Sequence, residues 1–539
     1  MPRAHEPKLM ADENIPPLNE PPAAAKLRRS HRPMFALRAA DVQLYRICDD
    51  LSGVLIFAMV VFSPWAFGST QPWAVWVMNI AGYALGILLL AKLFIREAKG
   101  YSAMRWKIPS TRSGAHPNQE QTSARLITRT LAGLTLLILG YCLASALNAG
   151  ATYNSETRLF EYHSYLRWLP HSFDRDRTWF IFWMYLGLAG SFWAIRDWLS
   201  GMTPDEARIE RSRTESDSGI PAPRLPSRLR WLIWLLCLNG ALLGVEAIAQ
   251  RAAGSSKLLF WVQPQVNPEG ETQFGPYAYR SNAAQYFNLL WPLCLGFWWT
   301  VQRGGGRRFG LHHVLLLCAA IMAACPIIST SRGGALVSAG ILVVAVMYLV
   351  ATNLLSLASR SNPDRGGSRT TWLLALFFAV VLGLGWYFGW DLLGPRMEQI
   401  GAGFSNREEM FAAARPMAKD YPVFGTGPGT FATVFQLYRI SNTTYWPEQL
   451  HNDWLETRIT FGWFGMGLVL AALGCILWRR FVPGRIRTGR RFVVLAWLGL
   501  AGCLVHARFD FPLQIHSILL LFLILCAILF TVSGRSSHR

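Results

Sequence analysis

The feature that most constrains this chain is a series of apolar stretches, each about as long as a helix that crosses a bilayer, or roughly 20 residues. Because 52% of the 539 residues are hydrophobic and only 16% are charged, the chain falls outside the class of ordinary soluble proteins. The sequence therefore predicts an all-α membrane protein, a polytopic bundle of about twelve transmembrane helices with a large helical outer loop. The predicted spans are residues 46–67, 73–95, 127–148, 178–198, 230–249, 283–301, 312–329, 335–355, 372–391, 457–478, 492–508 and 515–533.

Basic residues set the predicted orientation of the bundle. Lys and Arg are concentrated in the connections that face the cytoplasm if the N-terminus is cytoplasmic, as the positive-inside rule requires. The net charge of +20 is then explained by contacts with anionic headgroups, and no nucleic-acid partner is predicted. Four regions follow: a disordered cytoplasmic tail (1–43), nine helices with outer loops 149–177 and 250–282 (44–391), the large outer loop (392–456), and three helices with a short cytoplasmic tail (457–539).

Cysteines and acidic residues narrow the possible functions. The nine cysteines lie within or at the ends of the apolar stretches, without CxxC or HxxxH spacing, so neither a disulfide framework nor a metal site is predicted. Carboxylates are almost absent from the predicted spans. An ion-coupled transporter normally buries such groups at mid-depth, so their scarcity argues against that class.

The large outer loop carries an arginine in a helix-forming context. Ser405 and Glu408 have the spacing of a capping box, which predicts that a helix begins there. Arg407 would then lie near the positive end of the helix, where a cation is unfavourable unless an anion is close. A phosphate group is one such anion. The alternative is a surface arginine that pairs with Glu409 or with lipid headgroups.

Two further motifs follow in the same loop. The segment Gly425–Gly429 lacks the lysine of a nucleotide-binding loop, and it predicts a tight turn whose amides approach a neighbour or a polar ligand. His451 precedes a predicted helix in which Asp453 and Glu456 form a second capping-box spacing. A histidine at the positive end of a helix is shifted towards its neutral form, which a general base needs. The alternative is a histidine that only bonds the backbone.

Two arginines lie at the outer ends of predicted spans. Arg280 precedes the sixth span, and Arg332 lies in the hairpin between the seventh and eighth. Each could be an interfacial anchor on its own. Taken together with Arg407 on the same side of the membrane, they match the geometry of a pyrophosphate, because a guanidinium binds phosphate oxygens in a bidentate fashion.

The order of these motifs carries a resemblance to a known family. Thr330-Ser331-Arg332-Gly333 comes first, and the Arg407 helix follows. Asp420-Tyr421-Pro422 then leads into Gly425-Thr426-Gly427, and His451-Asn452 precedes Glu456 and Gly462. This arrangement resembles the O-antigen ligase and polymerase superfamily of bacterial envelope glycosyltransferases, over roughly residues 270–480.

The resemblance implies a specific activity. Members of this superfamily transfer a glycan from a polyprenyl pyrophosphate carrier to a lipid or glycan acceptor, commonly the lipid A core, at the periplasmic face of the inner membrane. They use no nucleotide, metal or other cofactor. By resemblance, His451 would activate the acceptor hydroxyl and Arg407 would assist catalysis. The pyrophosphate-binding residues would be Arg280, Arg332, Arg407, Ser331, Asn282, Gly425, Gly427 and Asn452.

The sequence leaves alternatives open within and outside this class. A repeat-unit polymerase or a protein O-oligosaccharyltransferase would use the same donor. A polysaccharide exporter or flippase would need a polar lining along several spans, whereas the polar residues of this chain concentrate outside. A non-catalytic assembly subunit is the remaining alternative.

Overall fold

The computed structural model describes residues 35–106, 117–215, 225–302, 310–358, 366–440, 446–479, 486–487 and 489–533. These residues form a helical bundle with two small two-stranded sheets. The helices are α1 (Ala39–Trp65), α2 (Pro72–Glu97), α3 (Pro117–Leu147), α4 (Arg175–Leu199), α5 (Pro204–Glu215), α6 (Ser227–Ala252), α7 (Arg280–Gln302), α8 (Val314–Ile328), α9 (Arg332–Ala358), α10 (Gly366–Glu398), α11 (Ile400–Asp420), α12 (Phe431–Val434), α13 (Asp453–Trp478), α14 (Arg490–His506) and α15 (His516–Thr531). The strands are β1 (Ala151–Asn154), β2 (Leu159–Tyr162), β3 (Ile486–Arg487) and β4 (Val532–Ser533).

Each of the twelve predicted spans coincides with one helix, so the all-α polytopic fold is confirmed. Within the described residues, nine helices are long and apolar enough to cross a membrane. The other three predicted spans correspond to α7, α14 and α15. Helices α14 and α15 are shorter, with 17 and 16 residues. Helix α7 has 23 residues but carries several polar side chains in its first half.

Helix α7 forms the centre of the bundle. All of its residues from Ser281 to Trp299 are buried, and it packs against α8 and α14 most extensively, and also against α6, α9 and α15. The amide of Asn288 donates a hydrogen bond to the Gly334 carbonyl on α9, at 3.0 Å. Because neighbouring protein surrounds α7, its polar residues do not face lipid.

Small residues allow α2 and α4 to cross closely. A Cβ atom on Gly82 would lie 2.3 Å from the carbonyl oxygen of Gly187, and one on Gly190 would lie 2.6 Å from the carbonyl of Gly82. Helices in membranes commonly associate through such small residues, because close backbone contact replaces the missing hydrophobic driving force. This contact holds the middle of α4 against α2.

A buried ionic network lies at the end of the bundle predicted to face the cytoplasm. Lys92 is fully buried and bonds Asp49 at 3.1 Å and Asp197 at 3.2 Å. Asp197 also pairs with Arg96 at 2.9 Å and with Arg105 at 2.6 Å. Buried charges require such partners, because an unpaired one loses its hydration without compensation. The network thereby joins α1, α2 and α4.

The cytoplasmic tail was predicted to comprise residues 1–43. Residues 1–34 of it lie outside the described part of the chain. Its last part differs from the prediction, because α1 already begins at Ala39. The Asp41 carboxylate accepts a hydrogen bond from the backbone amide of Arg38, at 2.9 Å, and thereby stabilises the start of the helix.

The three predicted outer segments contact one another at one end of the bundle. Segment 149–177 contains the antiparallel hairpin β1–β2, and the amide of Phe173 donates to the carbonyl of Thr426, at 3.0 Å. Tyr279, in segment 250–282, accepts a hydrogen bond from Arg407 at 3.1 Å. Residues from all three segments therefore share one surface.

The glycine-rich turn at 425–429 is attached to α13. Gly462 adopts a left-handed conformation (φ 62°) within α13, and this break allows Trp463 and Phe464 to donate to the carbonyls of Pro422 and Val423, at 3.0 and 3.1 Å. A Cβ atom on Gly462 would lie 2.1 Å from the Val423 oxygen. The loop is thus held directly against the helix that follows His451.

Candidate active site

His451 lies immediately before α13. Its backbone adopts a left-handed conformation (φ 58°), which is uncommon for a residue other than glycine and is concentrated at functional sites. The helix is capped by Asn452, whose side-chain oxygen accepts a hydrogen bond from the Leu455 amide at 3.1 Å. The predicted Asp453–Glu456 capping box is therefore wrong. The Asp453 carboxylate instead accepts a hydrogen bond from the amide of Leu513, at 2.8 Å.

The imidazole of His451 is oriented by Asp510. The His451 Nδ1 atom lies 3.0 Å from the Asp510 Oδ1 atom, and Asp510 is almost completely buried, with 4% of its side chain exposed. Because an ionised carboxylate can only accept hydrogen bonds, Nδ1 carries the proton. When the ring is neutral, Nε2 therefore carries the free lone pair. The ring also packs against Phe511, at 4.7 Å between ring centroids.

Arg407 contacts the opposite side of the same carboxylate. Its guanidinium donates to the hydroxyl of Tyr279 at 3.1 Å and to the Phe509 carbonyl, and it lies 3.7 Å from the Asp510 Oδ2 atom. Helix α11 begins at Ile400, so Ser405 lies inside the helix and does not cap it, contrary to prediction. Arg407 is consequently in the second turn. The charged group that pairs with this guanidinium is the carboxylate of Asp510, and the helix end plays no such part.

The ionisation of Asp510 follows from these contacts. Burial by itself would raise the pKa of its carboxyl group, but the hydrogen bond with His451 and the charge of Arg407 hold that pKa well below the usual value of 3.8. Arg407 responds in the opposite sense. Burial would lower its pKa, whereas Asp510 and Tyr279 raise it. The site therefore contains an aspartate and an arginine that are both charged near neutral pH.

A second row of polar side chains supports Asp510 from the interior. The hydroxyl of Ser281 donates to Asp510 Oδ2 and lies 3.2 Å from the Nε2 atom of His506. The other nitrogen of His506 lies 2.8 Å from Gln285 Oε1. These residues belong to α7 and α14, so the central helix of the bundle fixes the position of the carboxylate.

Four arginines influence one another electrostatically near the start of α7, two of which were predicted from the sequence as site residues and two of which were not. Arg280 and Arg332 were predicted, whereas Arg251 and Arg396 were not. Arg280 is repelled electrostatically by Arg396 and Arg251, and Arg396 is also repelled by Arg332. We call these four residues the arginine cluster. Within the described part of the chain, none of the four forms a salt bridge, although Glu271 attracts Arg251, Arg280 and Arg396 electrostatically.

Backbone carbonyls hold three members of the arginine cluster in place. Arg280 donates to the Glu271 carbonyl at 2.5 Å, and Arg332 to the Gln399 carbonyl at 2.8 Å. Arg251 donates to several carbonyls, among them that of Gln273 at 2.7 Å. Carbonyls do not neutralise a cation as a carboxylate does. The cluster therefore retains a local excess of positive charge.

Tyr279 connects the two parts of the site. Its hydroxyl lies 3.4 Å from Asp510 Oδ2, and its ring is 5.9 Å from that of His451. It also interacts electrostatically with Arg280 and Arg407, and with Arg396. A continuous set of contacts and electrostatic interactions thus runs from the His451–Asp510 pair to the arginine cluster.

The other predicted site residues have structural contacts. Ser331 accepts a hydrogen bond from the amide of Gly334 at 3.1 Å and caps α9, and Asn282 is buried in the first turn of α7. The amide of Gly427 donates to the Thr460 carbonyl at 3.0 Å. A Cβ atom on Gly425 would lie 2.5 Å from the carbonyl oxygen of Ile459. The glycines therefore face a neighbouring helix, and the amide of Gly427 is already used.

Asn452 also borders a cavity of about 260 Å³ next to His451. The cavity is lined by Phe411, Arg415, Asn452, Trp454, Leu455 and Arg508. Arg415 pairs with Glu408, while Arg508 is exposed. Of these two arginines, Arg508 is therefore the one that adds positive charge to the cavity lining.

Comparison with known proteins identifies the domain that carries these residues. No curated protein matches the chain. Residues 317–470, which include Arg332, Arg396, Arg407 and His451, match the family model described as O-antigen ligase. This match supports the O-antigen ligase superfamily for residues 317–470, within a polytopic membrane bundle.

Proposed function

We propose that the protein transfers a glycan from a polyprenyl pyrophosphate donor to the hydroxyl group of a lipid or glycan acceptor. The family match supports a glycosyl-transferring enzyme of the ligase and polymerase kind. The observation that carries the proposal is the arginine cluster, which forms no salt bridge among the described residues and is connected through Tyr279 to the His451–Asp510 pair. The reaction requires a cationic site for the pyrophosphate and a proton acceptor for the hydroxyl group, and these two parts would provide them.

The reaction assigns a role to each part of the site. The acceptor oxygen attacks the anomeric carbon and forms a new glycosidic bond, while the bond from that carbon to the pyrophosphate oxygen breaks. The Nε2 atom of His451 receives the hydroxyl proton, a contribution typically worth about 10² to 10⁴ in rate. The arginines stabilise the charge on the departing pyrophosphate. In-line displacement in one step inverts the configuration at the anomeric carbon.

The location follows from the same proposal. The site lies at the end of the bundle opposite the buried Lys92 network. With the orientation that the basic residues predict, both termini are cytoplasmic and the site faces the periplasm at the inner membrane. A lipid-borne donor can then place its pyrophosphate at the arginine cluster while its chain stays in the bilayer.

The experiment that tests this proposal is a glycan-transfer assay with purified protein, polyprenyl pyrophosphate-linked glycan and a lipid A core acceptor. We expect His451→Ala to reduce kcat by about 100-fold or more, because the acceptor loses its base. The matched control is His163→Ala, since His163 lies in the outer hairpin region and its imidazole bonds Thr152, away from Asp510. Transfer by the His451→Ala protein at the parental rate would refute the assignment.

The choice of acceptor distinguishes the enzymes that share this chemistry. A ligase uses the lipid A core, a polymerase uses a second carrier-linked glycan, and a protein oligosaccharyltransferase uses a Ser or Thr hydroxyl. The His451→Ala comparison can be repeated with each acceptor. Activity with one of the three, lost in the variant, identifies the natural reaction.

A further inference from the structure

A second cavity, of about 520 Å³, lies on the outer surface away from the arginine cluster. Its walls come from the start of α2, the β1–β2 hairpin, the start of α4, α12 and the segment before His451. Volumes of about 300–1,000 Å³ are typical of ligand-binding sites. The mechanism proposed above uses none of the residues that line it.

Aromatic side chains form one part of the lining. Trp76 and Phe180 make an edge-to-face contact at 6.3 Å, and Tyr153 and Trp446 lie 6.1 Å apart. Trp76 and Trp446 are exposed, at 40% and 37%. Such rings provide flat apolar faces that a partner of matching shape can cover. The C–H face of a pyranose ring has that shape.

Polar side chains form the other part. Asp174, Asp176 and Glu448 contribute carboxylates, and Arg158 and Arg177 contribute guanidinium groups. Asp174 is 2% exposed and is held by a hydrogen bond from the Arg177 amide, at 3.3 Å. Carboxylates accept and guanidinium groups donate hydrogen bonds, so together they match the hydroxyl groups of a sugar.

The charge balance separates this cavity from the arginine cluster. Three carboxylates against two guanidinium groups leave a small negative excess, which disfavours a pyrophosphate. A neutral polyhydroxylated ligand is favoured instead. The two regions therefore suit the two chemically different parts of a glycolipid, its phosphate and its sugar chain.

The cavity is within reach of the catalytic histidine. Trp446 is five residues before His451 in the sequence, so their Cα atoms are at most about 18 Å apart. Trp76 and Pro72 lie at the start of α2, where that helix enters the predicted bilayer. A sugar chain of a few units could thus extend from the reacting carbon or hydroxyl into the cavity.

We propose that this cavity binds a saccharide, namely the glycan chain of the donor or of the acceptor. The role in transfer rests on the proposed function, whereas saccharide binding does not depend on it. Trp446 and Tyr153 stack on the sugar rings, and Asp176, Glu448 and Arg177 bond their hydroxyl groups. These residues determine which glycan is accepted and do not take part in bond breaking.

Direct binding is the test. The purified full-length protein is titrated with two soluble probes, one oligosaccharide released by mild acid from the polyprenyl-linked glycan and one released from the lipopolysaccharide core. Saturation-transfer NMR reports binding of each. We expect one probe to bind and Trp446→Ala to weaken its affinity by about 3- to 10-fold, the amount that one aromatic contact contributes.

Matched variants control for damage to the fold. Trp168→Ala removes a 70% exposed tryptophan of the same outer surface that does not line the cavity, and its affinity should equal that of the parent. Glu448→Gln preserves the shape and should also weaken binding. The probe whose binding is weakened identifies the substrate that occupies the cavity. Weaker binding of the polyprenyl-derived oligosaccharide indicates the donor, and weaker binding of the core oligosaccharide indicates the acceptor. In the transfer assay, the KM of that substrate should rise while kcat changes little.

Two results would overturn the inference. One is the absence of binding by both probes, and the other is binding that Trp446→Ala and Glu448→Gln leave unchanged. Either result would leave the His451 assignment intact. Conversely, saccharide binding that persists in a fully active His451→Ala protein would reject the proposed base and keep the cavity.

Discussion

At the scale of single residues, Asp510 is the group that most changes the picture obtained from the sequence. It contacts the catalytic candidate His451 on one side and Arg407 on the other. Asp510 does not itself reach the reacting atoms in the proposed mechanism. It is a positioning residue, which fixes the ring orientation and the protonated nitrogen of His451.

We predict that Asp510→Asn reduces kcat by about 100-fold, because an amide can present its NH₂ group to Nδ1 and favour the tautomer in which Nε2 carries the proton. The KM of the donor should change much less. The assay is glycan transfer at saturating substrate, and Asp205→Asn is the control, since its side chain is 86% exposed on α5. If Asp510→Asn lowered the yield of folded protein by the same factor as kcat, Asp510 would have a structural role only.

The pH dependence of this effect follows from the sign of the pKa shift. The pKa of Asp510 in the folded protein is below the usual 3.8. Its stabilising contribution is therefore complete above that value and is lost only as the pH falls through the lowered pKa. Between about pH 5 and pH 8 the carboxylate stays ionised, so titration of Asp510 should not contribute to the pH profile of glycan transfer by the parent protein in that range.

Arg396 is the second residue with a distinct prediction. Within the described part of the chain it makes no hydrogen bond or salt bridge, and its neighbours Arg332 and Arg280 repel it. We expect Arg396→Gln to raise the KM of the donor by about tenfold, since hydrogen bonds to charged groups are worth about 1.5–3 kcal/mol. Donor titration in the transfer assay measures the effect.

Stability provides the control for Arg396. Removing a repelled charge should leave the melting temperature of the ligand-free protein unchanged or raised. Arg228→Gln should do the reverse, because Arg228 pairs with Asp49 at 2.5 Å at the other end of the bundle; it should lower the melting temperature and leave donor KM unchanged. A marked loss of stability in Arg396→Gln would mean that this arginine supports the fold.

At the scale of elements, the contact between the glycine-rich turn and α13 holds the outer loop in register with the histidine. Gly462 interrupts α13 so that its amides can bond the turn, and Gly425 packs against the same helix. The turn, Asn452 and His451 are thus parts of one rigid unit. Both the glycine motif and the histidine motif lie within the matched residues 317–470.

We predict that Gly462→Ala destabilises the protein by about 2–3 kcal/mol or more, because alanine is strained at φ 62° and its Cβ would meet the Val423 carbonyl. Thermal unfolding in detergent measures the change. Gly467→Ala is the control in the same helix, where a Cβ meets nothing within 4 Å, and it should be neutral or stabilising by about 0.5–1 kcal/mol. Equal melting temperatures for the two variants would contradict the role of the break.

At the scale of the whole molecule, the positions of the helices were predictable and the composition of the site was only partly so. Apolar stretches are a local signal, so the twelve helices that correspond to the predicted spans could be found from the sequence. Arg280, Arg332, Arg407 and His451 stood out because they flank such stretches in polar segments. Their combination into one site depended on the family resemblance.

The site residues that were not predicted from the sequence are connected to the predicted ones only by tertiary contacts and interactions. Asp510 is separated from His451 by 59 positions and by two helices, α13 and α14, so spacing along the chain gives no hint of their contact. Arg251 and Arg396 lie in the last turns of α6 and α10, and nothing in the sequence around them distinguishes them from interfacial anchors. The sequence did contain one signal for Asp510. It is an acidic residue in the connection between the last two predicted spans, where acidic residues are scarce. The start of α11 was misplaced for a related reason: α10 and α11 follow each other almost without a break.

The enclosure of α7 has a consequence for biosynthesis. Gln285 and Asn288 are completely buried by protein, but α7 is synthesised before α8, α9 and α14, which cover it. Exposed to hydrocarbon alone, those amides would remain without partners, at a cost of several kcal/mol each. Helix α7 can therefore form all of these contacts only after α14 has been translated. We expect a chain that ends before α14 to be degraded by membrane quality control.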